Sequence, residues 1–276
     1  MKLLFKFSTL IVIIVLFCLI SDYGVSAHGY LIKPAGRPSA WRVGYKTPIN
    51  YNDMEMWCGG LTIKRANNGR CGICGDPYNG TRASEVPDGK WVTKPPTLTG
   101  DYGQGDWINV TVNLTAAHKG YFVFRLCPSQ SDEIEVTQEC LNQHPLEILI
   151  NSSIPEKRYK YYLGNQSPNL YNFTLKLPAN LTCSRCVLQW DYTCGNQGTT
   201  DMENETFRAC ADIRITNKLL SKNSETINEN QLNNSTESTI KPNPSKESNN
   251  LFPSTTINNY KDIDPAENEI EINQLI

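Results

Sequence analysis

Histidine is nearly absent from this chain: three occur in 276 residues. A site that needs imidazole must draw on His28, His118 or His144. A basic excess is absent too, since 26 Lys and Arg are set against 28 Asp and Glu. That balance leaves no electrostatic footprint for nucleic acid and suits an uncharged partner. Apolar runs of spanning length are lacking; the stretch from Leu10 to Ile20 is too short to cross a bilayer comfortably. There is no convincing internal repeat. Nor does a paired-carboxylate motif mark a conventional glycoside hydrolase.

What is present begins with a leader. Lys2 and Lys6 precede the apolar run, and Val25-Ser26-Ala27 follows it. A charged start, an apolar middle and a small-residue end describe a secretory signal peptide over 1–27, with a membrane anchor as the competing reading. Cleavage after Ala27 would begin the mature chain at His28, leave 249 residues and move the net charge from -2 to -3. That length suits one domain with a substantial core. The expected location is extracellular, with no membrane attachment after cleavage.

Ten cysteines occur, and Cys18 would leave with the leader. The other nine are Cys58, Cys71, Cys74, Cys127, Cys140, Cys183, Cys186, Cys194 and Cys210. An oxidising compartment turns such a set into a disulfide framework with one thiol left over. Cys71-x-x-Cys74 and Cys183-x-x-Cys186 also admit zinc binding or thiol exchange. Ten Asn-x-Ser/Thr sequons begin at Asn79, Asn109, Asn113, Asn151, Asn165, Asn172, Asn180, Asn204, Asn233 and Asn234, which agrees with a secreted glycoprotein.

Alternating apolar residues dominate the chain to about residue 216. One face of "DWINVTVNLT" carries Ile108, Val110, Val112 and Leu114, and the other carries two sequon asparagines. "YFVFRLC" sets Phe122, Phe124 and Leu126 together; "YNFTLKL" aligns Tyr171, Phe173, Leu175 and Leu177. "CVLQWDYTC" aligns Cys186, Leu188, Trp190 and Tyr192. Short strands separated by Pro, Gly and Asn-rich turns predict an all-β fold of two packed sheets. Residues 31–90 are rich in Gly and Pro and hold three cysteines, so they predict a long loop region pinned to the sandwich, with a short helix near "DMEMW". From 217 to 276 the chain is rich in Asn, Ser, Thr, Glu and Lys with very few aromatics, and predicts a disordered tail.

The cleavage position has a chemical consequence. A first-residue histidine offers two nitrogens, its α-amine and its ring Nδ1, which can close a compact chelate ring. An α-amine has a pKa near about 8, so a metal displaces its proton at modest cost. One more imidazole would complete a T-shaped set of three nitrogens, which suits copper. His118 ends "VNLTAAH", in a short connection between two strong strands, where a ligand is both held and accessible. His144, followed by Pro145 and "LEILI", reads as a surface or loop histidine.

Six blocks then fall into place: "HGYLIKPAGRPSAWRVGY", "NYNDMEMWCGG", "GRCGICGDPY", "LTAAHKGYFVFRLCP", "CVLQWDYTCGN" and "FRACADIRI". Together they resemble the AA15 lytic polysaccharide monooxygenases, relatives of the chitin-binding type-4 proteins, over 28–216. The resemblance implies an immunoglobulin-like or fibronectin III-like β-sandwich with a flat active surface. It implies that His28 and His118 hold one copper ion in a histidine brace. Phe207 would lie on one axial side, where family members can carry tyrosine, and Ala116 would leave the other side open. Tyr30 would lie against a sugar ring, and Glu85 would be a nearby supporting carboxylate. The segment between Asn196 and Phe207 is shorter than the family pattern, which puts the pairing of Cys194 in doubt and trims a loop near the substrate face.

The implied activity is oxidative cleavage of an insoluble β-1,4-linked polysaccharide, chitin ahead of cellulose, by hydroxylation at C1 or C4. It needs copper, an external reductant and O2 or H2O2, and a monomer suffices. The alternatives are a non-catalytic chitin-binding protein using the same face, or a disulfide-stabilised structural protein.

Overall fold

The alternating segments pair into two sheets in the computed structural model, which describes residues 27–165 and 167–217. The strands are β1 His28–Lys33, β2 Leu98–Gly103, β3 Trp107–Ala116, β4 Tyr121–Pro128, β5 Glu147–Ile148, β6 Tyr161–Tyr162, β7 Asn169–Lys176, β8 Cys183–Thr193 and β9 Thr206–Thr216. One sheet runs β1-β3-β7-β5 and the other β2-β9-β8-β4-β6. All pairings are antiparallel except β2 with β9. This is the expected all-β, immunoglobulin-like sandwich. Residues 1–26 of the expected leader and 218–276 of the expected tail lie outside the described residues.

Each predicted apolar face is buried in one core. Ile108, Val110, Val112 and Leu114 of β3 meet Phe122, Phe124 and Leu126 of β4 and Leu188, Trp190 and Tyr192 of β8 there. Phe122 is its hub, with edge-on contacts to Tyr171, Phe173, Trp190 and Tyr192 at ring separations of 5.0–5.8 Å. Edge-to-face packing of this kind adds to what area burial contributes. Sequon residues Asn109 and Asn172 stand exposed on the outer side of the four-stranded sheet.

Disulfides secure the loop region as expected. Cys58–Cys71 closes it on itself, and Cys74–Cys210 ties it to β9. Cys127–Cys140 joins β4 to a short helix α2, Gln138–Gln143, and Cys183–Cys186 lies within β8. All four Cys-x-x-Cys cysteines are therefore in disulfides, which leaves none of them as a thiolate for zinc; Cys71 and Cys74 are bonded to partners outside their own motif. Cys194 is the leftover thiol; it is buried, and burial pushes its pKa up to about 12.

A buried ion cluster adds a second anchor. The Arg37 guanidinium donates to both Asp212 carboxylate oxygens, to Glu135 and to the Ser84 carbonyl, while Arg185 also donates to Asp212. Burial acts to raise the Asp212 pKa, but the charges of and hydrogen bonds from Arg37 and Arg185 hold it below the ordinary range.

One local expectation fails. "DMEMW" forms turns, and the helix α1 comes later, at Leu61–Ala66. The Met54 and Met56 carbonyls accept from Gly29 and Arg208, so this backbone bonds to the two sheets instead of to itself.

Candidate metal centre

One end of the sandwich gathers the start of β1, the end of β3, the start of β4, the end of β8 and the start of β9. His28 opens β1 directly opposite Ala116, the last residue of β3. His118 follows two residues later, in the four-residue connection to β4. The register therefore brings the two histidines to the same edge.

The neighbours of His28 fix its backbone. Gly29 donates to the Met54 carbonyl at 3.1 Å. A Cβ on Gly29 would press within 3.0–3.1 Å of Asn113 O, Leu114 Cδ1 and Trp190 Cη2, so only glycine lets β1 lie this close to the core. The His28 ring itself is 28 % exposed, and its Nε2 lies 3.5 Å from Glu55 Oε1. A carboxylate on the Nε2 side leaves Nδ1 free to face a metal.

His118 is held from three directions. Its N–H donates to the Tyr192 hydroxyl at 2.8 Å, that hydroxyl donates to the Lys119 carbonyl at 3.0 Å, and Gly195 N–H donates to the His118 carbonyl at 2.9 Å. Gly120 closes the turn at φ +81°, where a side chain would collide with Thr193 O. The His118 Nε2 is buried and has no hydrogen-bond partner. An orphaned imidazole nitrogen is costly unless something else satisfies it, and a metal ion does so.

Phe207 lies under this pair. Its ring is buried, with its centroid 6.4 Å from that of His28, and it stacks with Tyr192 at 6.0 Å and Trp57 at 6.5 Å. Phe207 thus contacts the His28 side while its stacking partner Tyr192 holds His118. Among the described residues no three His, Cys, Asp or Glu side chains converge as a metal set. The donor set that fits is two imidazoles plus the amine that cleavage before His28 would free.

Two other expected residues take specific positions. The Tyr30 hydroxyl accepts from Asn113 at 2.9 Å, and the Arg42 guanidinium sits 4.9 Å over its ring. One face of Tyr30 is therefore already covered. Glu85 is buried in the loop region, where it accepts from the Ile73 N–H and from Arg82. Its hydrogen bonds go to that loop, and the carboxylate beside His28 is Glu55. His144 caps α2 and accepts from Leu126, towards the far end of β4 from His118.

The profile described as "Lytic polysaccharide mono-oxygenase, cellulose-degrading" matches residues 28–213. The chain belongs to the lytic polysaccharide monooxygenase family. It is similar to the AA15 lytic polysaccharide monooxygenase from Thermobia domestica, solved in the Cu(I) state. Identity to that structure is 36 %, with 68 % of this chain and 98 % of that one covered at a TM-score of 0.61. A cellulose-active lytic polysaccharide monooxygenase in complex with copper shares 18 % identity, with 69 % and 100 % covered and a TM-score of 0.38. No curated protein matches the chain.

In this member of the family, nothing in the sequence signals Glu55, Trp57 or the hydrogen bonds by which Tyr192 holds the His118 backbone. Glu55 and Trp57 sit in a segment without periodicity. Their place beside His28 and Phe207 follows only from the tertiary bonds that Met54 and Met56 make. Tyr192 carried a signal only for its face of β8.

Proposed function

We propose that this protein is a secreted AA15-type enzyme, residues 28–216 forming the catalytic unit, that oxidatively cleaves β-1,4-linked polysaccharide. His28, through its freed amine and Nδ1, and His118, through Nε2, would hold one copper ion. Bound copper, recharged by an external reductant, supplies the one-electron chemistry by which O2 or H2O2 hydroxylates C1 or C4 beside the glycosidic bond. The chain's part is geometric. Tyr192 keeps the His118 backbone in place, and the buried Phe207 ring excludes water on one side. Ala116 adds no bulk beside His28, and Tyr30 would offer a sugar the ring face opposite Arg42.

The observation that carries this reading is the buried, partnerless Nε2 of His118 two residues beyond the strand partner of His28. Chitin is proposed ahead of cellulose on the AA15 likeness, although the matching profile names cellulose. Exposed Asn109 and Asn172 are proposed glycan sites, whereas Asn204 is buried with its amide nitrogen donating to Gly198 and Thr200 carbonyls. The test is product analysis: the copper-loaded protein, given a reductant, should release oxidised oligosaccharides from chitin, seen by mass spectrometry. Firm binding with no oxidised product on chitin or cellulose would make it a non-catalytic binder instead.

A further inference from the structure

Next to the histidine pair lies a half-open cleft of about 310 Å³, lined by Asn50, Asn52, Glu55, Trp57, Asp76 and Trp91 among others. Two side chains connect it to the metal centre. Glu55 lines the cleft and lies 3.5 Å from His28 Nε2, while Trp57 lines it and stacks with Phe207. The segment that carries them is fixed in advance. Met54 and Met56 bond to Gly29 and Arg208, Asp53 accepts two hydrogen bonds from Arg42, and Cys58 is disulfide-bonded to Cys71. Trp91 comes from another part of the loop region and is held through its N–H to Ala83 O at 2.8 Å.

The lining has a definite chemistry. Two indoles supply flat apolar surface with a polar edge, and two carboxamides can each donate and accept. A pyranose ring presents the matching pair: C–H faces and a rim of hydroxyls. No lysine or arginine is among the lining residues, while Glu55 and Asp76 bring acid. An anionic ligand would meet these two carboxylates, while Lys90 Nζ is engaged 4.2 Å over the Trp91 ring. The volume falls at the small end of ligand sites, which run from about 300 to 1,000 Å³.

We infer that this cleft is a subsite for one uncharged pyranose unit of the polymer, next to the unit presented to His28 and His118. The inference rests on the polysaccharide reading above and adds to it a second place of sugar contact. It separates affinity for the chain from the metal chemistry, because Trp91 touches neither histidine.

The test uses the processed full-length protein without metal, titrated with chitohexaose, cellohexaose and a hexameric uronic acid while indole N–H signals are followed by NMR. The neutral oligomers should move the Trp57 and Trp91 signals, and the uronic acid should not. Trp91→Ala should weaken neutral-oligomer binding about tenfold. Its copper affinity and thermal midpoint should stay unchanged. Asn52→Ala, at an exposed position, should weaken binding in the same direction and guards against misfolding of the tryptophan variant. Binding that both variants leave intact would overturn the subsite, as would uronic acid binding as well as the neutral chains. Loss of copper together with sugar in Trp91→Ala would overturn it too. Failure of the polysaccharide reading looks different: the wild type would bind no oligomer and release no oxidised product.

Discussion

At the scale of single residues, the site depends on a tyrosine that touches no substrate. Tyr192 accepts from His118 N–H and donates to Lys119 O, so its hydroxyl sets where the second imidazole sits. Tyr192→Phe leaves a partly buried N–H without its acceptor, a loss of about 1–3 kcal/mol in chemical denaturation. Copper affinity should fall roughly tenfold or more, as for other losses of support behind a ligand. A variant with wild-type copper affinity would show that His118 needs no such clamp. His28, His118, Ala116 and Phe207, the residues proposed for the copper site, stand in sequence motifs, and strand register sets them at one end of the sandwich. Glu55 was not legible, and Glu85, the supporting carboxylate that the resemblance implies, bonds within the loop region. A carboxylate's position in a long loop depends on which backbone groups that loop bonds, and "DMEMW" has no period that reveals this.

At the scale of elements, long alternating strands could be read and short ones could not. β3 and β7 show their buried face as every second residue, whereas β4 and β8 are buried on both sides and their alternation lies in residue type, with Phe122, Phe124, Leu126, Leu188, Trp190 and Tyr192 in the core. β5 and β6 have two residues each, too few to show any period. The helix expected near "DMEMW" fails for the same reason that the position of Glu55 was not legible. Two carbonyls of the 53–57 turns serve β1 and β9, and tertiary hydrogen bonds outweighed local propensity there. The Cys74–Cys210 link matters most for this region, because it closes a span of 136 residues and fastens the loop to β9. Replacing both cysteines with alanine should cost about 2–5 kcal/mol of stability by denaturant titration. It should also weaken copper binding, since Glu55 and Trp57 lie in the loop region so tethered. Unchanged stability would mean that the Arg37–Asp212 contacts alone hold the loop.

At the scale of the molecule, two buried carboxylates give opposite responses to pH. Arg37 and Arg185 hold the Asp212 pKa low against burial, so its stabilisation is complete above about pH 4 and is lost as pH falls through the depressed value. Asp76 is the reverse: burial raises its pKa to about 6, so the folded state loses stability as pH rises from the ordinary value towards 6. Denaturation followed between pH 4 and 7 should show this loss, and Asp76→Asn should flatten it. A variant with the wild-type slope would remove Asp76 as its source. These charges support a scaffold at one end of which, we propose, two imidazoles and a freed amine meet. The most direct measurement is a Cu(II) titration of the chain beginning at His28, with and without His118→Ala, read by calorimetry and electron paramagnetic resonance. The account predicts one copper per protein in a nitrogen-rich signal, with affinity falling by orders of magnitude in the variant. Equal affinity and an unaltered spectrum in His118→Ala would contradict it.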